Sequence, residues 1–228
     1  MIFRQRLSPV TWNWLSYLIR KPKMIRYYFH WRNSLKKEHS PLSDKFPWMV
    51  YGAVDWLESY LNLEMQVFEW GSGGSSLFFA SRVRSVVSVE HDPDWHTVVS
   101  QRLGQFDINN VNCILCEPER TDALMKIYAS TDERYQGMSF HRYAKTIDVY
   151  PDSNFDLVVV DGRARVGCIN HALSKVRIGG FLLLDDSDRE EYERGKNLMS
   201  GWARHRFYGP SSYNRIFTAT TIWKKPLL

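Results

Sequence analysis

Two short apolar runs restrict most strongly what this chain can fold into. Residues Phe155–Asp161 and Phe181–Asp185 are apolar at nearly every position until a closing acid. A strand with one face in water alternates between apolar and polar residues, whereas a continuous apolar run of this length is typical of a strand buried on both faces of a parallel sheet. The sequence therefore predicts an α/β fold, with helices on both faces of a mostly parallel sheet.

Shorter strand-like segments stand on either side of these runs and alternate with helical patterns. Further strands are predicted at 67–70, 85–90, 111–116, 205–208 and 215–223. Helices are predicted at 48–61, 75–82, 94–103, 140–149, 166–176 and 189–202, with the glycine pair at 179–180 ending the fifth. This alternation predicts right-handed crossovers within one doubly wound domain.

Charge is concentrated at one end of the chain. Residues 1–37 contain nine Lys and Arg residues and no acid, whereas the rest of the chain contains the other 21 Lys and Arg residues and all 25 acids. Because Trp and Tyr are interleaved with these cations, we predict a basic, aromatic, helical arm over residues 1–40 and a single domain over 41–228. Three roles for the arm stay open: packing on the domain or on a second copy, contact with a membrane, and nucleic-acid binding. The negative balance of the remainder argues against a broad nucleic-acid surface.

Cysteine content and hydropathy indicate the compartment. Cys113, Cys116 and Cys168 are odd in number, and no apolar stretch is long enough for a membrane span or forms a secretory signal. We therefore expect free thiols in a cytoplasmic protein, with the arm as the candidate for peripheral contact with the inner face of the membrane.

A glycine-rich turn follows the first predicted strand. The segment Val67–Ser76 contains Gly71, Gly73 and Gly74 and runs into a helix, so backbone N–H groups can approach a ligand closely. The second strand ends in Glu90, where a carboxylate can accept hydrogen bonds from both ribose hydroxyls of an adenosine-containing cofactor. Together these features predict a nucleotide or nucleoside site.

The pattern Glu69-x-Gly71-x-Gly73 resembles motif I of the class I, S-adenosylmethionine-dependent methyltransferases. The dinucleotide fingerprint requires Gly or Ala where this chain has Ser76, so a nicotinamide cofactor is the less favoured alternative. The resemblance covers about residues 48–224 and implies a seven-stranded sheet in the order 3-2-1-4-5-7-6 with an antiparallel seventh strand. It also implies S-adenosylmethionine contacts at Glu69, Gly71, Ser72, Gly73 and Glu90, with His91 and Glu117 beside the adenine.

The likeness is closest to a little-characterised group of bacterial methyltransferases linked to glycan and natural-product clusters. It is carried by Phe68–Ser76, Val89–Trp95, Asp156–Cys168 and Gly179–Tyr192. By that resemblance we expect methyl transfer to a hydroxyl of a small-molecule or glycan-like acceptor. N-methylation of RNA or protein, a nicotinamide-dependent oxidoreductase and a non-catalytic binding module stay open as alternatives.

Three acids close the two apolar runs. Asp161 ends the first, while Asp185 and Asp186 end the second, so their carboxylates are expected to converge at the carboxyl edge of the sheet. Such a group suits Mg²⁺, and it is similar to the acids of catechol-type and metal-dependent sugar O-methyltransferases. The sugar enzymes carry a His where this chain has Ala164. The sequence predicts a metal site at Asp161, Asp185 and Asp186, with Asp161 as the catalytic residue. The alternative is a structural role for these acids, such as capping the helix after Asp186 or pairing with Arg163 or Arg189.

A polar, Tyr-rich insertion over residues 117–153 precedes the fourth strand. We predict that it either overhangs the active site or forms a surface loop. His141 within it is a candidate base, although an isolated histidine is more often structural.

Overall fold

A computed structural model describes residues 9–123 and 125–227. One sheet contains seven strands: β1 (Gln66–Trp70), β2 (Ser85–Glu90), β3 (Val111–Leu115), β4 (Phe155–Val160), β5 (Val176–Leu184), β6 (Ala203–Pro210) and β7 (Phe217–Lys224). Numbered in this way, their order across the sheet is 3-2-1-4-5-7-6. β7 is antiparallel to both of its neighbours, while the pairs from β3 to β5 are parallel. The predicted doubly wound α/β fold is confirmed.

The helices lie before and between the strands. They are α1 (Pro9–Arg20), α2 (Ile25–Ser34), α3 (Pro41–Asp44), α4 (Tyr51–Tyr60), α5 (Gly74–Ala80), α6 (Pro93–Gln105), α7 (His141–Lys145), α8 (Arg165–Lys175) and α9 (Glu193–Asn197). The last predicted helix is much shorter than 189–202, because a 3₁₀ turn at Glu190–Tyr192 precedes α9 and the chain turns again after it. The insertion contains α7 and a two-stranded antiparallel ribbon of Glu119–Arg120 and Met138–Ser139.

Both faces of the sheet are buried, which explains the continuous apolar runs. Along β4, Leu157 and Val159 belong to a core cluster with α4 and α5. Their neighbours Val158 and Val160 belong to a second cluster with α7 and α8. Because helices cover both faces, every residue of β4 is buried and the strand has no polar side.

β5 begins earlier than the sequence indicated. α8 ends at Lys175, and the pair Gly179-Gly180 lies inside β5 instead of ending the helix, so that prediction was wrong. Pairing with β4 shifts register after the first residue pair. Gly179 has φ +73°, and a side chain on Gly180 would begin 2.9 Å from the Asp156 carbonyl oxygen. The glycines therefore permit an irregular start to the strand.

The arm packs on the domain through aromatic side chains. Trp14 on α1 lies 5.2 Å from both Tyr28 and Trp31 of α2, measured between ring centroids. It also lies 5.3 Å from Phe217 of β7. The Trp31 indole N–H donates to the Asn214 carbonyl at 2.6 Å. The two helices thus form a hairpin held on the domain, and the boundary at residue 40 stays a prediction.

Residues 1–8 of the predicted arm, which include Arg4 and Arg6, lie outside the described residues. Over the described ranges 9–123 and 125–227, no helix is both long and apolar enough to cross a bilayer.

Trp14→Ala should lower the free energy of unfolding by about 3 kcal/mol or more, since it empties the centre of the aromatic cluster. Trp12 on the same helix is 63% exposed, so Trp12→Ala should change stability by no more than about 0.5 kcal/mol. Urea denaturation of both variants measures the difference. Equal effects of the two substitutions would contradict the packing of the arm.

Candidate functional site

The carboxyl ends of β1, β2 and β4 are tied together by backbone hydrogen bonds. The Gly71 amide donates to the Val89 carbonyl at 2.9 Å, and the Asp161 amide donates to the Trp70 carbonyl at 3.1 Å. Beside these strand ends lies a cleft of about 470 Å³, a size typical of ligand sites. Its walls come from the loop after β1, the residues that follow β2, part of the insertion and the turn after β4.

The loop after β1 contains Gly71 and Gly73, and the absence of a side chain has a different consequence at each position. Gly71 has φ +96°, and a side chain there would begin 3.1 Å from the backbone of Asp161 and Gly162. It therefore permits the close approach of the β1 and β4 turns. Gly73 has an extended backbone, and a side chain there would meet only Trp95, at 3.8 Å. Because Gly73 lines the cleft, its missing side chain leaves room for a ligand.

Glu69 holds this loop from behind. Its side chain is completely buried, and it accepts hydrogen bonds from the hydroxyls of Ser75 at 2.8 Å and Ser76 at 2.5 Å. The Ser76 hydroxyl in turn accepts from the Gly73 amide at 3.0 Å. Burial raises the pKa of Glu69 to about 7, and the serine hydroxyls offset only part of that effect. Glu69 is thus a positioning residue for the start of α5.

Glu90 at the end of β2 is a buried acceptor with the opposite pKa shift. One carboxylate oxygen accepts from the amide and hydroxyl of Ser72, at 3.1 and 3.0 Å. The other accepts from the amides of His91 at 2.7 Å and Asp92 at 3.0 Å. Burial opposes ionisation, but the hydrogen bonds and the charge interaction with His91 outweigh it and lower the pKa of Glu90. An ionised carboxylate therefore lines the cleft.

Part of the insertion closes one side of the cleft. Arg134 and Tyr135 line it, and the Tyr135 hydroxyl lies 2.9 Å from Nε2 of His91. Arg163, after β4, lies over the Tyr135 ring at 5.5 Å and pairs with Asp132 at 3.0 Å. The prediction that the insertion overhangs the strand ends is therefore confirmed.

A second cleft of about 500 Å³ adjoins the first. Trp48 and Asp161 line both clefts, so these two residues mark their meeting point. The second cleft is strongly acidic, because its lining includes four aspartates and one arginine: Asp161, Asp185, Asp186, Asp188 and Arg189.

Arg165 lies between the acids that close β4 and β5. Its guanidinium is 3.0 Å from the Asp161 carboxylate and 3.6 Å from that of Asp186. It also donates to the backbone carbonyls of Asp185 at 2.6 Å and Gly162 at 3.0 Å. Burial and the nearby Asp186 raise the pKa of Asp161 to about 6, against the opposing charge of Arg165.

This arrangement does not fit the predicted magnesium site at Asp161, Asp185 and Asp186. The cation between the carboxylates is the guanidinium of Arg165, and the Asp185 carboxylate accepts a hydrogen bond from the Thr220 hydroxyl. In the part of the chain that the structure describes, no three His, Cys, Asp or Glu side chains are grouped so that they could hold a metal ion. Of the predicted alternatives, Asp186 does pair with Arg189, at 2.5 Å. Arg163 instead pairs with Asp132, and the pairing of Arg165 with Asp161 and Asp186 was not predicted.

Several solved structures share this architecture. SMU.1697c from Streptococcus mutans, solved in complex with S-adenosylhomocysteine, has a TM-score of 0.54 at 14% identity, over 76% of this chain and 96% of that one. An rRNA methylase from Streptococcus thermophilus has a TM-score of 0.54 at 16% identity, over 77% of this chain and 95% of that one. Precorrin-6y C5,15-methyltransferase from Geobacter metallireducens has a TM-score of 0.52 at 14% identity, over 75% of this chain and 87% of that one. Neither a protein-family profile nor a curated protein sequence matches the chain.

The chain has the class I methyltransferase fold. Within that fold, five of the predicted cofactor residues line the first cleft: Gly71, Ser72, Gly73, Glu90 and His91. Glu69 instead lies behind the loop, and Glu117 is exposed and lines neither cleft. His141 packs on Tyr128, with ring centroids 4.5 Å apart, and also lines neither cleft.

Sequence reasoning gave no site role to several residues of this methyltransferase-fold site: Trp48, Trp95, Arg134, Tyr135 and Arg165. The Trp95 indole N–H donates to the Ser72 carbonyl at 2.8 Å. Trp95 lies in the first turn of α6, shortly after Glu90, and this position in the sequence could have identified it. Arg134 and Tyr135 carry no such signal, because only the tertiary fold brings the insertion over the cleft.

The buried carboxyl of Glu69 should make stability depend on pH. Its pKa in the folded state is about 7 against an ordinary 4.5, so the stability that it contributes should be lost as pH rises through that window. The loss should be about 3 kcal/mol, at about 1.4 kcal/mol per unit. Glu69→Gln should reduce the slope by this amount and leave the share of Asp161, whose pKa is also raised. Glu64→Gln, at an exposed position, should leave the slope unchanged. Urea unfolding between pH 4.5 and 8 tests this, and parallel curves for wild type and Glu69→Gln would contradict it.

Proposed function

We propose that this chain transfers a methyl group from S-adenosylmethionine to a hydroxyl of a small-molecule or glycan-like acceptor. The observation that carries the proposal is the pair of clefts that meet at Asp161 and Trp48. The first cleft has the glycine loop and Glu90, which suit the cofactor, and the second offers space for an acceptor beside them.

The residues of the first cleft fit S-adenosylmethionine. Glu90 would accept hydrogen bonds from the ribose hydroxyls, and its lowered pKa keeps it ionised for that role. The bare backbone at Gly73 gives the methionyl part room beside the loop. The cofactor supplies an electrophilic methyl group when bound. The complex of SMU.1697c with S-adenosylhomocysteine supports this ligand, as a finding on that protein.

Asp161 is placed to accept the proton of the acceptor hydroxyl. It lies where the two clefts meet, and with a pKa of about 6 its carboxylate is ionised at neutral pH but still basic enough to hold a proton. Arg165 fixes its orientation through the 3.0 Å ion pair. Most of the acceleration would come from holding the hydroxyl oxygen in line with the methyl group.

The lining of the second cleft favours a polyhydroxyl acceptor over RNA. Carboxylates accept hydrogen bonds from hydroxyls, and Trp48, half exposed, offers a flat apolar face to a sugar ring. Aspartates outnumber the one arginine in this lining, so it offers little attraction to the phosphates of a nucleic acid. One of the structural neighbours is an rRNA methylase, so N-methylation of RNA is the alternative that the experiments below must separate.

Calorimetry with S-adenosylhomocysteine tests the cofactor. The wild type should bind it, and Glu90→Ala should weaken binding by about 1–3 kcal/mol through loss of charge-assisted hydrogen bonds. Gly73→Val should abolish binding and still fold, since its backbone is extended and its new side chain would point into the cleft. Binding of NAD without binding of S-adenosylhomocysteine would overturn the assignment. Normal binding by Gly73→Val would show that the loop is not part of the cofactor site.

A second test concerns Asp161, with radiolabelled S-adenosylmethionine and a panel of sugar, phenol and RNA acceptors. Asp161→Asn should lower kcat about 10²–10⁴-fold without loss of S-adenosylhomocysteine affinity. The wild-type rate should rise with pH through about 6 and then level, because the base acts only when ionised. EDTA should leave the rate unchanged, since the cation between Asp161 and Asp186 is the guanidinium of Arg165. A rate that is independent of pH, or label found only in RNA, would contradict the proposal.

A further inference from the structure

Helix α1 carries apolar side chains on two opposite faces. Trp14 and Tyr17 point to the domain and are buried. Trp12, Leu15 and Ile19 lie on the other side of the helix, at the i, i+3, i+7 spacing of a single stripe, and are 63, 43 and 77% exposed. Packing on the domain therefore accounts for four of the seven apolar residues of α1, since Val10 and Leu18 also pack in that cluster.

Helix α2 repeats this arrangement. Tyr27 and Trp31 are buried against the domain, whereas Ile25 and Phe29, one turn apart on the opposite side, are 46 and 69% exposed. On α2 as on α1, the exposed apolar side chains therefore lie on the side away from the buried aromatic cluster. We define the outward face as Trp12, Leu15, Ile19, Ile25 and Phe29.

Cations surround the outward face. Arg20 ends α1, Lys23 follows it, and Arg32 lies one turn beyond Phe29; all three are exposed. No acid occurs within residues 1–37 to offset them. Large apolar side chains surrounded by Lys and Arg are typical of helices that lie in the interface of an anionic bilayer.

We propose that the outward face of this hairpin docks on an anionic lipid bilayer. The apolar side chains enter the boundary between headgroups and acyl chains, and the surrounding cations bind lipid phosphates. The helices lie on the membrane and do not cross it, in keeping with their lengths of 12 and 10 residues.

Other occupants suit the outward face less well. RNA would pair with the cations, but Leu15, Ile19 and Ile25 are aliphatic and cannot stack on bases as aromatic side chains do. A second copy of the chain would bring two acid-free cationic segments together, and their like charges would repel. A bilayer uses the apolar and the cationic groups at once.

Docking is independent of the proposed methyl transfer. None of the five residues of the outward face lines either of the two clefts. Variants there should therefore bind S-adenosylhomocysteine as the wild type does, and vesicle binding should not require the cofactor.

The full chain should be co-sedimented with vesicles of phosphatidylcholine alone and of phosphatidylcholine mixed with phosphatidylglycerol. We expect binding only to the anionic vesicles. The binding should weaken at least about tenfold between about 0.1 M and about 1 M salt, as the screening length falls from ~10 Å to ~3 Å.

Paired variants separate the apolar from the charge contribution. Ile19→Ser with Phe29→Ser should weaken vesicle binding about tenfold or more. The control pair Leu63→Ser with Val149→Ser, 68 and 82% exposed at other sites, should change it less than about twofold. Lys23→Glu with Arg32→Glu should abolish it, whereas Arg84→Glu with Arg204→Glu, which changes the net charge equally at other exposed positions, should reduce it far less.

Thermal unfolding and S-adenosylhomocysteine binding must confirm that each variant is folded. No sedimentation with anionic vesicles at any salt would overturn the proposal, as would equal losses in an outward-face pair and its control. Tight binding of RNA that depends on Lys23 and Arg32 but not on Ile19 and Phe29 would assign the surface to nucleic acid and also overturn it.

Discussion

The guanidinium of Arg165 is the interaction on which the geometry of the site depends. It is buried at the start of α8 and reaches back to the ends of two strands, donating to the carbonyls of Gly162 and Asp185 and pairing with the carboxylate of Asp161. Without this cation, the carboxylates at these strand ends would repel one another in a poorly solvated place, and strand ends that carry them could not lie side by side. The same contact fixes the corner at which the two clefts meet, so one side chain joins the stability of the sheet to the shape of the site.

Two buried glutamates, Glu69 and Glu90, lie on the other side of the cleft and differ in the direction of their pKa shifts. Both are surrounded by donors, but Glu90 receives several backbone amides aimed at its carboxylate, while Glu69 receives only serine hydroxyls. Backbone amides cannot act as acceptors, so they favour the ionised form, whereas hydroxyls can adapt to a protonated acid. The His91 imidazole, whose Nδ1 lies 2.7 Å from the Glu90 carboxylate, adds to this difference. Burial therefore prevails at Glu69 and raises its pKa, while His91 and the backbone donors prevail at Glu90 and lower its pKa. The charged group lies at the cleft, and the readily neutralised one lies behind the loop, where only its shape and hydrogen bonds matter.

The sequence correctly predicts features that depend on one strand, helix or turn. It does not predict features that depend on contacts between elements distant in the sequence. The apolar strands, the glycine turn and Glu90 can be predicted from local patterns. Burial of a strand on both faces requires consecutive apolar residues, and close approach of the backbone to a ligand requires glycines within one short segment. The acids at 161, 185 and 186 suggested a metal because strand ends converge, yet nothing in their spacing reveals that Arg165, four residues after Asp161, turns back between them. The wall formed by Arg134 and Tyr135 likewise depends on how the insertion folds over the sheet.

The arm shows the same limit in a different form. A helix with aromatic and aliphatic residues on both sides has no obvious polar face, so its sequence pattern alone could not separate packing on the domain from contact with a membrane. Burial separates the two sides: Trp14 lies at the centre of an aromatic cluster, while Ile19, five residues later, stays in solvent. Packing and docking are therefore not competing roles of one surface. Because the inner face already packs on the domain, the proposed docking of the outward face would not require the hairpin to fold on the membrane.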